Sequence, residues 1–193
     1  MTDSEDTFYT EDRWQNWLDR VAEEDLDPEN EDSARLLLNL QDDTAIAVAK
    51  VVSAYTDGRL DEDEATAEID GIREVVLAEV DIDSEEKAML IDGVQTSLVC
   101  VFYAAEEYVL GGAAEEGTVT EYVEAAAAAE AEEDVDAALG YLVQAGTRIV
   151  DGEELPIETV EELEYGLVSE WVNGLDSLQS AMSDPEVVEE DDS

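Results

Sequence analysis

The stretch "EEKAMLIDGVQTSLVCVFYAAEEYVLGG", residues 85–112, decides the fold. Between Lys87 and Leu110 it carries only four charged residues, which are Lys87, Asp92, Glu106 and Glu107. A helix that is apolar nearly all round must be covered by other elements. Asp83 or Ser84 can cap its start. The sequence therefore predicts a central apolar helix at 84–110, against which the rest of the chain packs.

The segments on both sides of this helix also have apolar residues at helical spacing. In the first segment, which Thr10 can cap, Trp14, Trp17, Leu18 and Val21 fall at i, i+3, i+4 and i+7. No segment shows the alternating pattern of a strand. We expect an all-α, single-domain bundle of about seven helices, the last an unbroken helix over 157–182.

The predicted helical domain covers residues 10–182. The glycine-rich stretch at 111–117 is expected to be a flexible connection within it. The short acidic ends, 1–9 and 183–193, are expected to be mobile.

The charge balance is abnormal, with 55 Asp and Glu against 8 Lys and Arg, no His, and a formal net charge of −47. A disordered acidic chain would lack the long apolar runs seen here. A nucleic-acid mimic would concentrate its charge on one face, whereas these carboxylates occur in nearly every segment. At about 1 M salt the Debye length shrinks to roughly 3 Å, which screens such self-repulsion. This pattern favours a protein of a halophile, which needs a high K⁺ or Na⁺ concentration to fold.

Several classes of protein are disfavoured by the same composition. Cys100 is the single cysteine, so no intrachain disulfide can form. The N-terminus lacks the pattern of a signal peptide, and no apolar stretch reaches the ~20 residues needed to cross a bilayer. The scarcity of basic residues disfavours direct binding to nucleic acid or to anionic lipid. We expect a cytoplasmic protein without a membrane segment.

The stretches "FYTEDRWQNWLDR", "RLLLNLQDDTAIAVAK" and "LIDGVQTSLVCVFYAAEEYV" resemble, in this order, an uncharacterised acidic helical family of halophilic archaea. The resemblance covers most of the chain and involves whole segments rather than catalytic motifs. It implies an archaeal, cytoplasmic protein adapted to high salt. No activity or ligand follows from it.

The segment "YTDGRLDEDEA", residues 55–65, matches half of an EF-hand calcium loop. With Gly58 at loop position 6, Asp57, Asp61 and Glu64 fall at positions 5, 9 and 12. Positions 1 and 3 fall on Ser53 and on a tyrosine, so half of the ligand set is missing. The alternative is a tight turn in which Gly58 ends one helix, while Asp61 and Glu64 form a capping box that starts the next. We favour the turn.

A second candidate metal or acid–base site involves carboxylates within the most apolar helices, chiefly Asp42 and Asp92. The alternative places Asp42 and Asp43 on a solvated helix face together with Asn39 and Lys50. In the same alternative, Asp92, Gln95 and Glu106 mark the one wet edge of the central helix. The absence of His excludes most known di-metal and hydrolytic arrangements. No cofactor and no specific divalent cation are therefore expected.

Trp14 and Trp17 are flanked by Arg13 and Arg20, and Trp and Arg are typical hot-spot residues of interfaces. They either clamp the first helix to the core or bind a partner. Our first functional hypothesis is a non-enzymatic protein that acts through a protein partner or as a homodimer. The alternatives are a carboxylate-based divalent-cation-binding protein and an acidic nucleic-acid mimic.

The charge of the chain predicts that its stability depends on salt. The circular dichroism of the purified protein should show a cooperative thermal transition in ~3 M KCl, where charges are screened. In dilute buffer without added metal, the helical signal and the transition should be lost. A cooperative transition that persists in dilute buffer would contradict the interpretation of the acidic surface as an adaptation to salt.

Overall fold

The computed structural model describes residues 9–24, 29 and 31–183. These residues form eight helices and no strand, which confirms the all-α prediction. The helices are α1 (Glu11–Glu23), α2 (Glu31–Thr56), α3 (Glu62–Val76), α4 (Glu85–Gly111), α5 (Val119–Ala131), α6 (Val135–Asp151), α7 (Ile157–Glu161) and α8 (Leu167–Ser183). The predicted acidic ends lie outside the described residues, apart from Ser183 and Tyr9, of which Tyr9 is buried.

Short polar side chains start most of these helices. Thr10, Asp61, Ser84, Thr118 and Asp134 each accept a hydrogen bond from a backbone N–H in the first turn that follows. Such caps satisfy amide groups that have no partner within the helix and contribute about 1 kcal/mol each. The caps predicted at Thr10 and Asp61 are confirmed, and Ser84 rather than Asp83 caps α4.

Helix α4 lies in the middle of the bundle and packs against α2, α3, α6 and α8. Its buried residues come from most of its circumference and include Ile91, Leu98, Cys100, Val101, Phe102 and Val109. Burial also raises the pKa of the Cys100 thiol far above its usual range. The prediction of a central apolar helix is confirmed.

Two glycines let α6 and α8 approach α4 closely. A methyl group added at Gly174 of α8 would overlap the backbone carbonyl of Ser97, and one added at Gly146 of α6 would overlap the methyl group of Ala104. Each glycine therefore sets the distance between two helices at a point where no side chain can fit. The centre of α4 is fixed from two directions by these contacts.

The predicted last helix is divided in two, which raises the number of helices from the expected seven to eight. The break falls at residues 162–166. There, Glu130 of α5 accepts a hydrogen bond from the backbone N–H of Val168 at 2.9 Å, and its carboxylate occupies the space beside Gly166. The carboxylate of Glu130, 38 residues earlier in the chain, thus accepts a hydrogen bond from a backbone N–H in the first turn of α8. The helical spacing of apolar residues in 157–182 cannot predict this contact, because Glu130 lies outside the segment.

The connection between α4 and α5 is held by α6. The backbone of Ala114 donates to the hydroxyl of Thr147 at 3.1 Å and accepts from Arg148. Arg148 also donates to Glu153, which accepts from the backbone of Val119. Burial alone would raise the pKa of Glu153, but the Val119 amide and the Arg148 guanidinium outweigh it and lower the pKa. The flexibility expected for this connection stays a prediction.

By length and composition, α4 is also apolar enough to cross a membrane, with a mean hydropathy of 1.5 in its most apolar window. Half of that window is buried inside the protein. The core helix of a soluble protein passes the same test, so the indication is weak.

The close helix contacts predict opposite effects for the same substitution at different glycines. Gly174→Ala and Gly146→Ala should each lower the free energy of unfolding by about 3 kcal/mol, because the helices must move apart. Gly71→Ala and Gly140→Ala should raise it by about 0.5–1 kcal/mol, since their added methyl groups meet no described atom within 4 Å and alanine favours helices. Thermal or urea unfolding in ~3 M KCl measures all four. A mild effect at both Gly174 and Gly146 would contradict the packing described above.

Candidate functional site

Helix α1 packs its predicted apolar stripe onto the bundle. Trp14 is 4% exposed, and Leu18 and Val21 are buried with it in the core. Trp17 is half-buried, and its indole N–H donates a hydrogen bond to Asp43 of α2 at 2.9 Å. The Trp pair therefore clamps the first helix to the rest of the chain.

Asp43 is the acceptor that fixes α1 on α2. Besides Trp17, it accepts two hydrogen bonds from Arg13, one of them from Nε at 2.8 Å. Arg20 stacks over the Trp17 ring, with its guanidinium carbon 4.7 Å from the ring centroid. All four residues predicted as a partner contact (Arg13, Trp14, Trp17 and Arg20) thus make contacts within the chain.

The placement of Asp43 corrects one sequence interpretation. We expected Asp43 on a solvated face, but its side chain is only 11% exposed. It is buried because residues of α1 that lie 26 and 30 positions earlier in the chain cover it. Asn39, which was expected on the same face, is exposed.

The half EF-hand segment folds as a turn. Gly58 has a φ of +80°, and Asp61 and Glu64 make both hydrogen bonds of a capping box, at 2.9 and 3.0 Å. Asp57 is exposed and pairs with Arg59 at 3.4 Å. The predicted capping box is confirmed, and it occupies two of the three carboxylates assigned to a cation.

The other carboxylates assigned to a metal lie in different settings. Asp42 is half-buried beside Ser177 of α8, whereas Asp92 is exposed on α4. Burial raises the pKa of Asp42, the hydrogen bond with Ser177 lowers it, and the neighbouring Asp176 raises it; the result is a raised pKa. Among the described residues, no group of three or more Asp, Glu, Cys or His side chains is arranged to hold a metal ion. A divalent-cation site stays a prediction.

Sequence reasoning missed three apolar side chains that lie exposed along one stripe of α4, which exposed Asp92 shares. Met89 is 73% exposed, Tyr103 44% and Leu110 52%, and Val99 lies half-buried between them. The sequence predicted one wet edge of the central helix at Asp92, Gln95 and Glu106, but not these exposed apolar side chains; Asp92 is exposed, and Gln95 and Glu106 are half-buried. Spacing along a helix shows that several sides are apolar, but it cannot show that one of them remains unpacked.

Beside this stripe, α4 and α6 enclose a cleft of about 340 Å³, which we call the α4–α6 groove. Its walls combine apolar surface with carboxylates on the rim. It is lined by Tyr103, Glu106, Glu107, Asp136, Leu139, Gly140, Val143 and Gln144.

Of the three carboxylates that line the α4–α6 groove, one is paired with a cation and, among the described residues, the other two are not. Arg73 of α3 donates to Glu106 at 3.1 Å, and its guanidinium carbon lies 5.8 Å from the centroid of the Tyr103 ring. Glu107 and Asp136 are exposed and make no ion pair with any residue the structure describes. The groove thus offers apolar surface, one aromatic ring and two uncompensated carboxylates.

A family model described as "Uncharacterized protein conserved in archaea (DUF2150)" matches residues 7–191. No curated protein and no solved structure matches the chain.

The adjacent residues Asp42 and Asp43 provide a matched test of the contact that holds α1. Asp43→Asn should lower the free energy of unfolding by about 1–2 kcal/mol, because Arg13 and Trp17 lose a charged acceptor. Asp42→Asn should leave it unchanged or raise it by less than ~0.5 kcal/mol, since the raised pKa means that ionised Asp42 opposes folding. Tryptophan fluorescence during urea unfolding in ~3 M KCl measures both.

The effect of Asp42→Asn should also depend on pH. The stability that neutral Asp42 contributes is present below its unfolded pKa of about 3.9 and is lost as pH rises through the higher folded pKa. Any gain from the substitution should therefore be seen at neutral pH and vanish below about pH 4. Equal losses for the two variants at pH 7 would contradict the distinct roles of the two carboxylates.

Proposed function

The chain belongs to DUF2150, an uncharacterised family conserved in archaea, and from that premise we propose that it acts by contact with another protein. We place this contact on the α4–α6 groove and the adjoining stripe of α4. The protein is, in this proposal, a non-enzymatic cytoplasmic component of a halophilic archaeon. Its net charge of −47 supports the halophilic and cytoplasmic parts of the proposal.

The proposal rests on one observation: a stretch of α4 lacks the acidic residues that occur in most other segments. Between Gly93 and Ala105 the helix has no charged residue, although part of it, including Tyr103, faces solvent. Carboxylates occur in nearly every other segment, so an uncharged run of this length is unusual for this chain, and Tyr103 is its exposed residue. The centres of protein interfaces are depleted in charged residues and enriched in tyrosine and methionine. The uncharged run with its exposed Tyr103 has this composition.

The state of α1 supports placing the contact on α4 rather than on the Trp pair. Trp14 is buried, and Trp17 and Arg13 are bound to Asp43. A partner that used Trp14 would first have to remove α1 from the core, and one that used Arg13 or Trp17 would compete with Asp43. Met89, Tyr103 and Leu110 are exposed without any such change.

Site-specific photo-crosslinking in a salt-adapted host tests the proposal. A photoreactive phenylalanine analogue replaces Tyr103 in one variant and Tyr165 in a matched control, because Tyr165 is 90% exposed and lies outside the groove. The analogue at position 103 should give one discrete adduct of higher mass, whereas position 165 should give none. Mass spectrometry then identifies the attached chain.

A second variant shows whether the adduct depends on the groove. Gly140→Leu in the background that carries the analogue at position 103 should remove the adduct, while Gly71→Leu should keep it, since both glycines are open helical positions. The proposal is overturned if position 103 gives no adduct, or if positions 103 and 165 give the same collection of adducts.

A further inference from the structure

Gly140, like Gly71 and Gly93, is a helical glycine whose missing side chain is not required by a contact within the described part of the protein. It is in the middle of α6, is exposed and does not have a positive φ, and an added methyl group would meet no described atom within 4 Å. A helical glycine of this kind costs about 1 kcal/mol relative to alanine. Gly146, only six positions later, is needed for contact with α4. What distinguishes Gly140 is its place in the lining of the α4–α6 groove, where the missing side chain leaves room.

The form of the groove suits a helix. Its walls are rows of side chains on two packed helices, with Tyr103 on α4 and with Leu139 and Val143 at i and i+4 on α6. A third helix packs by placing the ridge of its apolar side chains in such a row. An open glycine lets one apolar side chain of the incoming helix reach the floor.

The carboxylates on the rim of the groove favour an incoming helix that carries positive charge. Arg73 shows how a guanidinium sits here, since it pairs with Glu106 while it lies against the ring of Tyr103. Glu107 and Asp136 present the same carboxylate chemistry on the outer side, with no cation of the described chain beside them. Arginine is the cation that best matches carboxylates and aromatic faces together.

Resting on the proposed function, we infer that the α4–α6 groove binds an amphipathic helix of a partner protein that carries arginine beside its apolar face. The apolar ridge of that helix packs over Gly140 between Tyr103 and Val143. Its arginines pair with Glu107 and Asp136. A second copy of this chain is a poorer occupant, because it has only 8 basic residues and would bring 55 carboxylates.

Two synthetic peptides test the inference. Both are amphipathic helices of about 18 residues with the same leucine face; one carries arginine and the other glutamate beside that face. Fluorescence anisotropy in ~3 M KCl measures their binding to the full chain, at a salt level where only contact-range charge effects remain. The arginine peptide should bind at least about fivefold more tightly than the glutamate peptide, as expected for two exposed ion pairs.

Variants of the chain assign the effect to the groove. Glu107→Gln with Asp136→Asn should abolish the preference for arginine, whereas Glu124→Gln with Glu158→Gln, which removes the same charge from exposed positions on α5 and α7, should keep it. Gly140→Leu should reduce binding of the arginine peptide at least tenfold, and Gly71→Leu should not.

The outcomes separate this inference from the proposed function. If both peptides bind equally and Gly140→Leu blocks both, the basic character of the partner is wrong, while the groove remains a contact surface. If neither peptide binds, the inference is overturned. The proposed function is then still tested separately by the crosslinking experiment at position 103. If the control variants change binding as much as the groove variants do, the inference is overturned as well.

Discussion

The close contact of α4 with α6 and α8 is the constraint on which the rest of the structure depends. Gly146 and Gly174 let α6 and α8 approach α4 so closely that an added methyl group would overlap Ala104 or Ser97. Such contacts leave little freedom in the spacing or rotation of the helices. They also leave one stripe of α4 uncovered, because α3 and α6 pack on either side of it. The core and the proposed contact surface therefore share a single helix.

Four of the eight basic residues join different elements of the fold. Arg13 joins α1 to α2, Arg73 joins α3 to α4, and Arg148 joins α6 to the segment before α7. Lys87 donates to the backbone of Ala22 and so joins α4 to α1. Each such pair adds little on its own at the surface. Their positions nevertheless show that the cations mark where helices meet, while the carboxylates are spread over the solvated faces.

The sequence predicted those features that depend on local chemistry. Helical spacing and caps such as Asp61 were sufficient for the fold class, the central helix and the Asp-Gly turn. The break before α8 was missed because Glu130, which starts that helix, lies far away in sequence. The burial of Asp43 was missed for the same reason. A wet edge of α4 was expected from Asp92, but the exposure of Tyr103 was missed because a hydrophobic pattern reports which residues are apolar, but not how many helices are present to cover them.

Cys100 lies fully buried at the centre of α4 and is the single thiol of the chain. A thiol with a raised pKa and no access to solvent does not react with oxidants or other thiols. It becomes reactive only when α4 leaves the core, which requires the bundle to open. Chains that lose their fold when salt is withdrawn would then be the ones able to join covalently in pairs. The oxidation state of this residue would record past opening of the bundle.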